Sequence, residues 1–492
     1  MSGGLLTRYS RKSVSPEQRA AQFVQSEPRL TWTALFFAAF PEGEIYLVGG
    51  TLRDTLLGRK PNDIDLVIRN VEPDVLEGWL LRHGAAEFVG RFGTFKFVPH
   101  GTGRKGPIDI ALPRTEHIGM NHRGGRRDME VAFDHTLSIS EDLSRRDFTI
   151  NAMAYNIGDE RLIDPFLGLT DLYNEVISAV LVPEQRFHED ATRMLRGLRL
   201  ASQLGFGIES HTWRAIAANI ELLNQTDITE AGIHRFLVPR EAVGKEFLLG
   251  FMHHPVHTLR LWSESKALHL FMPQLAALEN VIEHDNQTAF NKTTSILHSL
   301  HKKSLLKGYG LKSASPTLLV AALMTFLDQE KSRNAKEICL QLHFHQFDTK
   351  HDAYVNCSDV FWLLEHLDDF ADMDPATVRP SVFEKRFMNK RGRELLVLMH
   401  AVSIAQGKHS VARERIHTAL RIVQHLEKRV DQEGVNGHLP RLVSGKDIQA
   451  LGINPGPAYR DLLDQIRDAQ WMQEVDSKTD AQNLLRKLVS KM

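Results

Sequence analysis

The chain has 492 residues, 42% of them apolar, which is ample material for two to four packed domains. Its formal net charge of −1 excludes a protein drawn to nucleic acid by overall electrostatics, so any basic surface must be a local patch. Only two cysteines, Cys339 and Cys357, and no apolar run near the roughly twenty residues of a membrane helix argue against a disulfide framework, a zinc knuckle or a helical membrane span, and fit a reducing cytoplasm.

Residues 1–29 read as a flexible N-terminal extension, in which Arg8, Arg11 and Lys12 among serines also give a faint transit-peptide composition. Thr31 to Phe40 predicts a helix, followed by a turn at Pro41-Glu42-Gly43. The next stretch, IYLVGGTLRDTLLGRKPNDIDLVI from Ile45 to Ile68, predicts a strand, a Gly-Gly turn, a helix from near Thr51 and a second strand. Gly49 and Gly50 let main-chain N–H groups approach an anion, and the helix dipole aims at the same spot. Asp63 and Asp65 are expected on one face of the second strand, among apolar neighbours where a buried carboxylate needs a partner or a metal. Mg²⁺ takes few protein carboxylates and completes its shell with water and phosphate oxygens, so paired aspartates beside a Gly-rich turn point to nucleotidyl transfer.

Pro73 to His83 predicts a helix; Phe88 to Pro99 and Pro107 to Pro113 predict strands, making the sheet mixed. Asp109, in IDIAL, reads either as a third carboxylate near the metals or as a pairing residue at a strand edge. Between Arg114 and Arg145 the polar run EHIGMNHRGGRRDMEV reads as a mobile loop. In SRRDFTINAMAYN, Ser144 to Asn156, Arg146 offers forked donors to phosphate and Asp147 an acceptor to a ribose hydroxyl. RFHEDATRMLRGLRLASQLGFGIES, Arg186 to Ser210, predicts a helix on which Asp190 and Arg193 share a face. An acceptor beside a donor matches an exocyclic amino group next to an unprotonated ring nitrogen. Cytosine and adenine present that edge; uracil and guanine do not.

VGGTLRDTLLG, DIDL, SRRDFTINAMAYN and DPFLGLTDL (Asp164 to Leu172), in that order, resemble the bacterial-type (class II) tRNA nucleotidyltransferase and poly(A) polymerase family of the polymerase β-like superfamily. The resemblance implies an α/β nucleotidyltransferase head with a polymerase β-like mixed sheet, then an all-α neck, body and tail. It implies that Asp63 and Asp65 are catalytic and hold Mg²⁺, and that Gly49, Gly50, Arg53, Arg146, Asp147, Arg196 and Arg199 bind the nucleotide. Asp190 and Arg193 match the family's EDxxR motif, an amino-acid template for CTP and ATP. The expected reaction is addition of CCA to tRNA 3′ ends with release of pyrophosphate, with no membrane and no obligate protein partner. A-addition only, poly(A) synthesis and a non-catalytic RNA-binding relative remain as alternatives.

From Thr212 onward the pattern is helical, with breaks at Pro239, Pro255, Pro273 and Pro316, and no strand run competes. TTSILHSLHKK and TLLVAALMTFLDQE have the layout of an HD phosphohydrolase helix pair, but Thr325-Phe326 stands where the metal-binding His-Asp doublet belongs. His298 and His301 then read as ordinary helix-surface residues. Helices are expected near Glu394 to Gln406 and Val411 to Glu433, and LVSGKDIQALGINPGPAYRDLLDQIRDAQ, Leu442 to Gln470, resembles the RNA-gripping tail of long bacterial relatives, with Lys446 and Arg460 as candidate phosphate contacts. The expected segments are a head over 30–172, a neck over 173–255, a body over 256–370 and a tail over 371–492.

Overall fold

The computed structural model describes residues 14–89, 93–103, 105–118, 129–228, 234–283, 285–327, 331–346, 348–349, 353–370, 374–407, 411–435 and 438–491. The chain divides into two compact units, Met1–Leu270 and Phe271–Met492. Among the described residues no helix is long and apolar enough to cross a membrane.

The first unit opens with α1 (Pro16–Ser26), started by a capping box at Ser15 and Gln18 with proline at the first helical position. Ala20 is fully buried, and Nη1 of Arg19 donates to the Leu56 carbonyl at 3.0 Å. The expectation of a loose extension over 1–29 therefore fails for residues 16–26, because this helix has an apolar face to bury; residues 1–13 lie outside the described residues. Helix α2 (Thr33–Ala39) is followed by strand β1 (Glu44–Val48), α3 (Gly49–Leu56) and β2 (Ile64–Arg69). Next come α4 (Pro73–His83), β3 (Gly84–Val89), β4 (Thr94–Pro99) and β5 (Ile108–Ala111). An antiparallel hairpin of β6 (Arg114–Ile118) and β7 (Met129–Phe133) leads into α5 (Ile139–Ser144), β8 (Ala154–Asn156) and β9 (Arg161–Ile163). The loop reading of residues 114–145 thus gives way at both ends to paired strands and a capped helix; residues 119–128 lie outside the described residues.

The main sheet has the order β3-β4-β5-β2-β1-β8-β9. Only β2 and β5 are parallel; the other neighbours pair antiparallel. Ile45, Leu47, Ile64, Val67, Ile68, Ile108 and Ile110 are fully buried, so the central strands are covered on both faces. On one side Trp32, Phe36, Trp79 and Phe97 pack edge-to-face or tilted at 5.4–6.2 Å between ring centroids, clamping α2 and α4 to the sheet.

After α6 (Gly168–Tyr173) the unit is chiefly helical: α7 (Pro183–Glu189), α8 (Thr192–Leu204), α9 (Ser210–Asn219), α10 (Arg240–His253) and α11 (Pro255–Glu264). The sequence predicts one helix from Arg186. The chain instead breaks at Asp190, which is extended at φ −147°, ψ 100°, because its carboxylate accepts the Thr192 N–H at 2.9 Å and so caps α8 from outside. Short ladders, Thr226–Ile228 with His234–Phe236 and, in the second unit, Asp348–Thr349 with Ala353–Tyr354, correct the all-helical reading after Thr212.

The second unit is otherwise helical. Its helices include Ala289–Leu300, Pro316–Leu323, Lys390–Ala405, Val411–Glu433 and Pro457–Trp471. The last begins directly after Gly456, where Pro457 supplies a preset φ. His298 and His301 are exposed, and Thr325 is buried with its hydroxyl donating to the Ala321 carbonyl at 3.2 Å.

Candidate active site

Because β1 and β2 are antiparallel, the end of β1 and the start of β2 meet at one end of the sheet. The chain passes from β1 directly into α3 at Gly49, whose φ is +62°, a conformation that a Cβ would strain. Space is limited there as well: a Cβ would stand 3.2 Å from Nη1 of Arg146 and 3.6 Å from Oδ2 of Asp65. Thr51, buried in the first turn of α3, accepts the Asp65 N–H at 2.8 Å and donates to the Asp63 carbonyl at 3.1 Å. Its hydroxyl ties the Gly-Gly turn to the aspartate pair.

Asp65 lies on β2, directly opposite Asp109 of the parallel strand β5. Burial pushes the Asp65 carboxyl above its usual range; Asp109 and Asp63 push the same way, and the Arg146 guanidinium opposes them. Nζ of Lys96, opposite Asp109 on β4, pairs with Asp109 at 2.8 Å. Asp63 departs from expectation. It precedes β2, is exposed, and does not line the cleft, although its charge reaches Asp65.

Segment 144–151 supplies the opposite wall. Asp142, at 0% exposure, accepts Nε of Arg145 at 3.0 Å and Nη2 of Arg146 at 3.2 Å; burial alone would raise its carboxyl, and the two guanidinium groups hold it below the usual range. Arg146 also donates from Nη1 to the Asn151 carbonyl at 3.3 Å, while its buried Nε has no hydrogen bond among the described residues. The Asp147 carboxylate is fully engaged. Oδ2 takes Nε and Nη2 of Arg196 at 2.8 and 2.6 Å; Oδ1 takes the Phe148 N–H at 2.8 Å and Nδ2 of Asn151 at 3.2 Å. Burial opposes its ionisation, but Arg196 and Asn151 more than reverse that and hold the carboxyl well below the usual range. Four donors surround the Asp147 carboxylate, which also lines the cleft.

Arg193, 6% exposed, is gripped by Oε2 of Glu189 at 2.7 Å and by the carbonyls of Arg186 and Arg145 at 3.3 and 2.9 Å. Asp190 and Arg193 thus face the cleft from a joint between two helices and not from one continuous helical face. Arg199 is turned elsewhere, with Nε on Glu246 of α10 and Nη1 on Gln203 at 2.9 Å. Arg53 is also outside the cleft lining, held by Asp54 at 2.8 Å and Oδ1 of Asn151 at 2.9 Å.

One open cleft of about 540 Å³ collects Gly49, Gly50, Asp65 and Asp109 on the sheet side and Arg146, Asp147, Asp190, Arg193 and Arg196 on the other. Lys96, Arg114, Arg145 and Asn151, which sequence reasoning did not single out, line it too. Asn151 and Arg145 sit inside the SRRDFTINAMAYN segment, but nothing local marks them as cleft residues. Six basic and four acidic side chains around a volume of this size suit a small polyanion bearing a polar edge.

The poly A polymerase head-domain model matches residues 45–178. The CCA-adding enzyme of Lactiplantibacillus plantarum is 42% identical over 180 residues, covering 37% of this chain and 41% of that protein. The CCA-adding enzyme of Levilactobacillus brevis is 31% identical over 299 residues, covering 61% of this chain and 67% of that protein. The chain belongs to the CCA-adding enzyme family. The crystal structure of the Bacillus stearothermophilus CCA-adding enzyme in complex with CTP superposes with a TM-score of 0.62 over 97% of this chain and 99% of that one; at 23% identity this shows a shared fold, a mixed-sheet head followed by a mostly helical remainder. The match to the Lactiplantibacillus plantarum protein spans less than half of that relative's length. Nucleotidyltransferases of the CCA-adding enzyme family generally use a divalent metal. The residues here fit one: the donors are hard carboxylate oxygens, and Asp65 is destabilised by burial and by two like charges that a cation would offset. Among the described residues no three His, Cys, Asp or Glu side chains form a ready-made cage, but Mg²⁺ needs only one or two carboxylates plus phosphate oxygens.

Proposed function

We propose that this chain adds CCA to the 3′ ends of tRNA without a nucleic-acid template, using CTP and ATP and releasing pyrophosphate, in the cytoplasm. The observation that carries the reading is the cleft where carboxylates in register on β2 and β5 face basic side chains and the Asp190–Arg193 joint. Asp65 and Asp63 hold Mg²⁺, and the register supports Asp109 as a further carboxylate beside them. Bound there, Mg²⁺ supplies neutralisation of triphosphate charge and activation of a hydroxyl.

The remaining work falls to the chain's own groups. The Gly49-Gly50 turn offers main-chain donors to the triphosphate, and Arg146 and Arg196 add charge-assisted donors. Asp65 and Asp109 face the α-phosphorus that the tRNA 3′-OH attacks in line. Asp190 accepts from the exocyclic amine and Arg193 donates to the ring nitrogen, so C and A are selected together. Glu189 sets the orientation of Arg193. Arg53 and Arg199 act from outside the lining, through Asn151 and α10. The family name and the CTP bound to the Bacillus stearothermophilus protein support this reading.

The test supplies purified protein, CTP, ATP and Mg²⁺ with tRNA transcripts ending before, within and after CCA. The expected product is CCA completion followed by a stop. Extension only of transcripts ending in CC makes the chain an A-adding enzyme, a long A tract on unstructured RNA makes it a poly(A) polymerase, and no incorporation overturns catalysis.

A further inference from the structure

We propose that Asn151 is a positioning residue that couples the Gly-Gly turn helix α3 to the nucleotide-facing helix α8, holding Arg53 and Arg196 in one fixed relation. The proposal rests on the nucleotidyltransfer reading above and gives a role to a residue of the SRRDFTINAMAYN segment that the resemblance left without one.

Asn151 is 8% exposed and ends a short 3₁₀ turn, Thr149–Asn151. Its side-chain amide is used at both ends. Oδ1 accepts Nη1 of Arg53 at 2.9 Å, and Nδ2 donates to Oδ1 of Asp147 at 3.2 Å. Arg53 is donor-only and the ionised Asp147 is acceptor-only, so just one orientation of the amide satisfies both neighbours. Asp147 in turn holds Arg196 through Oδ2, and the Asn151 carbonyl takes Nη1 of Arg146. Three arginines of three segments, Arg53 on α3, Arg146 on the connecting segment and Arg196 on α8, therefore meet on one asparagine or on the carboxylate it orients. No carboxylate could replace it: Asn151→Asp would keep the acceptor for Arg53 and set an oxygen against Asp147. A buried network of this kind is stiff only while every member is satisfied.

Arg146 and Arg196 line the cleft and Arg53 does not, so Asn151 acts on the ligand through the groups it places. The expected consequence is weaker nucleotide binding with the chemistry largely retained.

The experiment measures steady-state CTP and ATP incorporation and calorimetric CTP binding for wild type, Asn151→Ala, Asn151→Asp, Arg196→Ala and Asn151→Ala/Arg196→Ala. Asn151→Ala should raise KM and Kd for both nucleotides about tenfold, with kcat changed less than about threefold, and Asn151→Asp should be worse than Ala. In the Arg196→Ala background, Asn151→Ala should cost less than half of its single-variant effect on a logarithmic scale. Additive losses, or a fall in kcat with KM unchanged, overturn the proposal. If Asn151→Ala does not fold by circular dichroism, Asn151→Ser takes its place, and failure of both to fold shows a residue of the fold alone and also overturns it. Wild type that neither binds CTP nor transfers it brings down the functional reading itself, an outcome distinct from additive variants of an active enzyme.

Discussion

Asp65 and Asp109 lie directly opposite each other in the parallel pairing of β2 and β5, a register that sets two carboxylates on one face of the sheet at the floor of the cleft. Asp109 has Lys96 beside it; Asp65 is the more buried of the two, with its carboxyl held above the usual range by burial and by its acidic neighbours. Its folded pKa exceeds the unfolded value, so the buried charge costs stability at pH above the raised pKa, and the cost fades as pH falls through it. Asp65→Asn should therefore abolish incorporation yet raise the melting temperature near neutral pH, with a smaller gain in acid. Millimolar Mg²⁺ should raise the melting temperature of wild type and not of the variant. Incorporation by Asp65→Asn at the wild-type rate would remove Asp65 from the metal site.

The Asp147–Arg196 pair makes the opposite prediction. Asp147 is depressed below its unfolded value, so its contribution is complete above the unfolded carboxylate range and is lost progressively as pH falls from that range through the lowered folded value. Asp147→Asn leaves Arg196 without its counter-charge and should cost about 2–4 kcal/mol at neutral pH. Urea titrations should show the gap between wild type and variant closing in acid. An equal gap at both pH values would mean that the pair contributes only packing.

Gly49 is constrained by conformation and by space together. Gly49→Ala should cost about 1–2 kcal/mol through the left-handed backbone alone, and its methyl should press on Nη1 of Arg146. Nucleotide KM should rise more than the melting temperature suggests. A variant with unchanged KM would show that the turn and Arg146 yield without loss.

Hairpin β6–β7 flanks residues 119–128, part of the stretch read from the sequence as a mobile loop. Replacing residues 119–128 by a short Gly-Ser linker should leave both C additions intact and stop A addition, because the same Asp190–Arg193 joint must be re-presented as the primer grows. Sequencing of product ends reads the outcome; continued A addition would place the reorientation elsewhere.

In the second unit Arg460 and Lys446 are exposed, and Arg460 lines a separate cavity of about 500 Å³ with Arg441 and Tyr459. Arg460→Glu with Lys446→Glu should weaken tRNA binding several-fold, more at low salt, without changing CTP affinity. Unchanged tRNA affinity across salt concentrations would remove this surface from the RNA path.

Local chemistry determined much of this protein. Pro73 and the run to His83 specified α4 to the residue, and the helix expected near Val411 to Glu433 is present. The strand, helix and strand expected over Ile45 to Ile68 were legible because each depends on neighbours a few residues away, although the helix starts at Gly49, not near Thr51, and the second strand starts after Asp63. Even so, Asp190 broke the helix expected across it, since a short carboxylate competing for the Thr192 N–H outweighs apolar spacing. Partner choice was decided only by tertiary structure. Asp109 faces Asp65 across 44 positions of sequence, Asp147 pairs with Arg196, and Arg199 turns to Glu246, because pairing of long charged side chains is set by which strands and helices the core brings together. A motif names the residue types a cleft requires; the register of β2 on β5 and the joint between α7 and α8 decide which of them reach it.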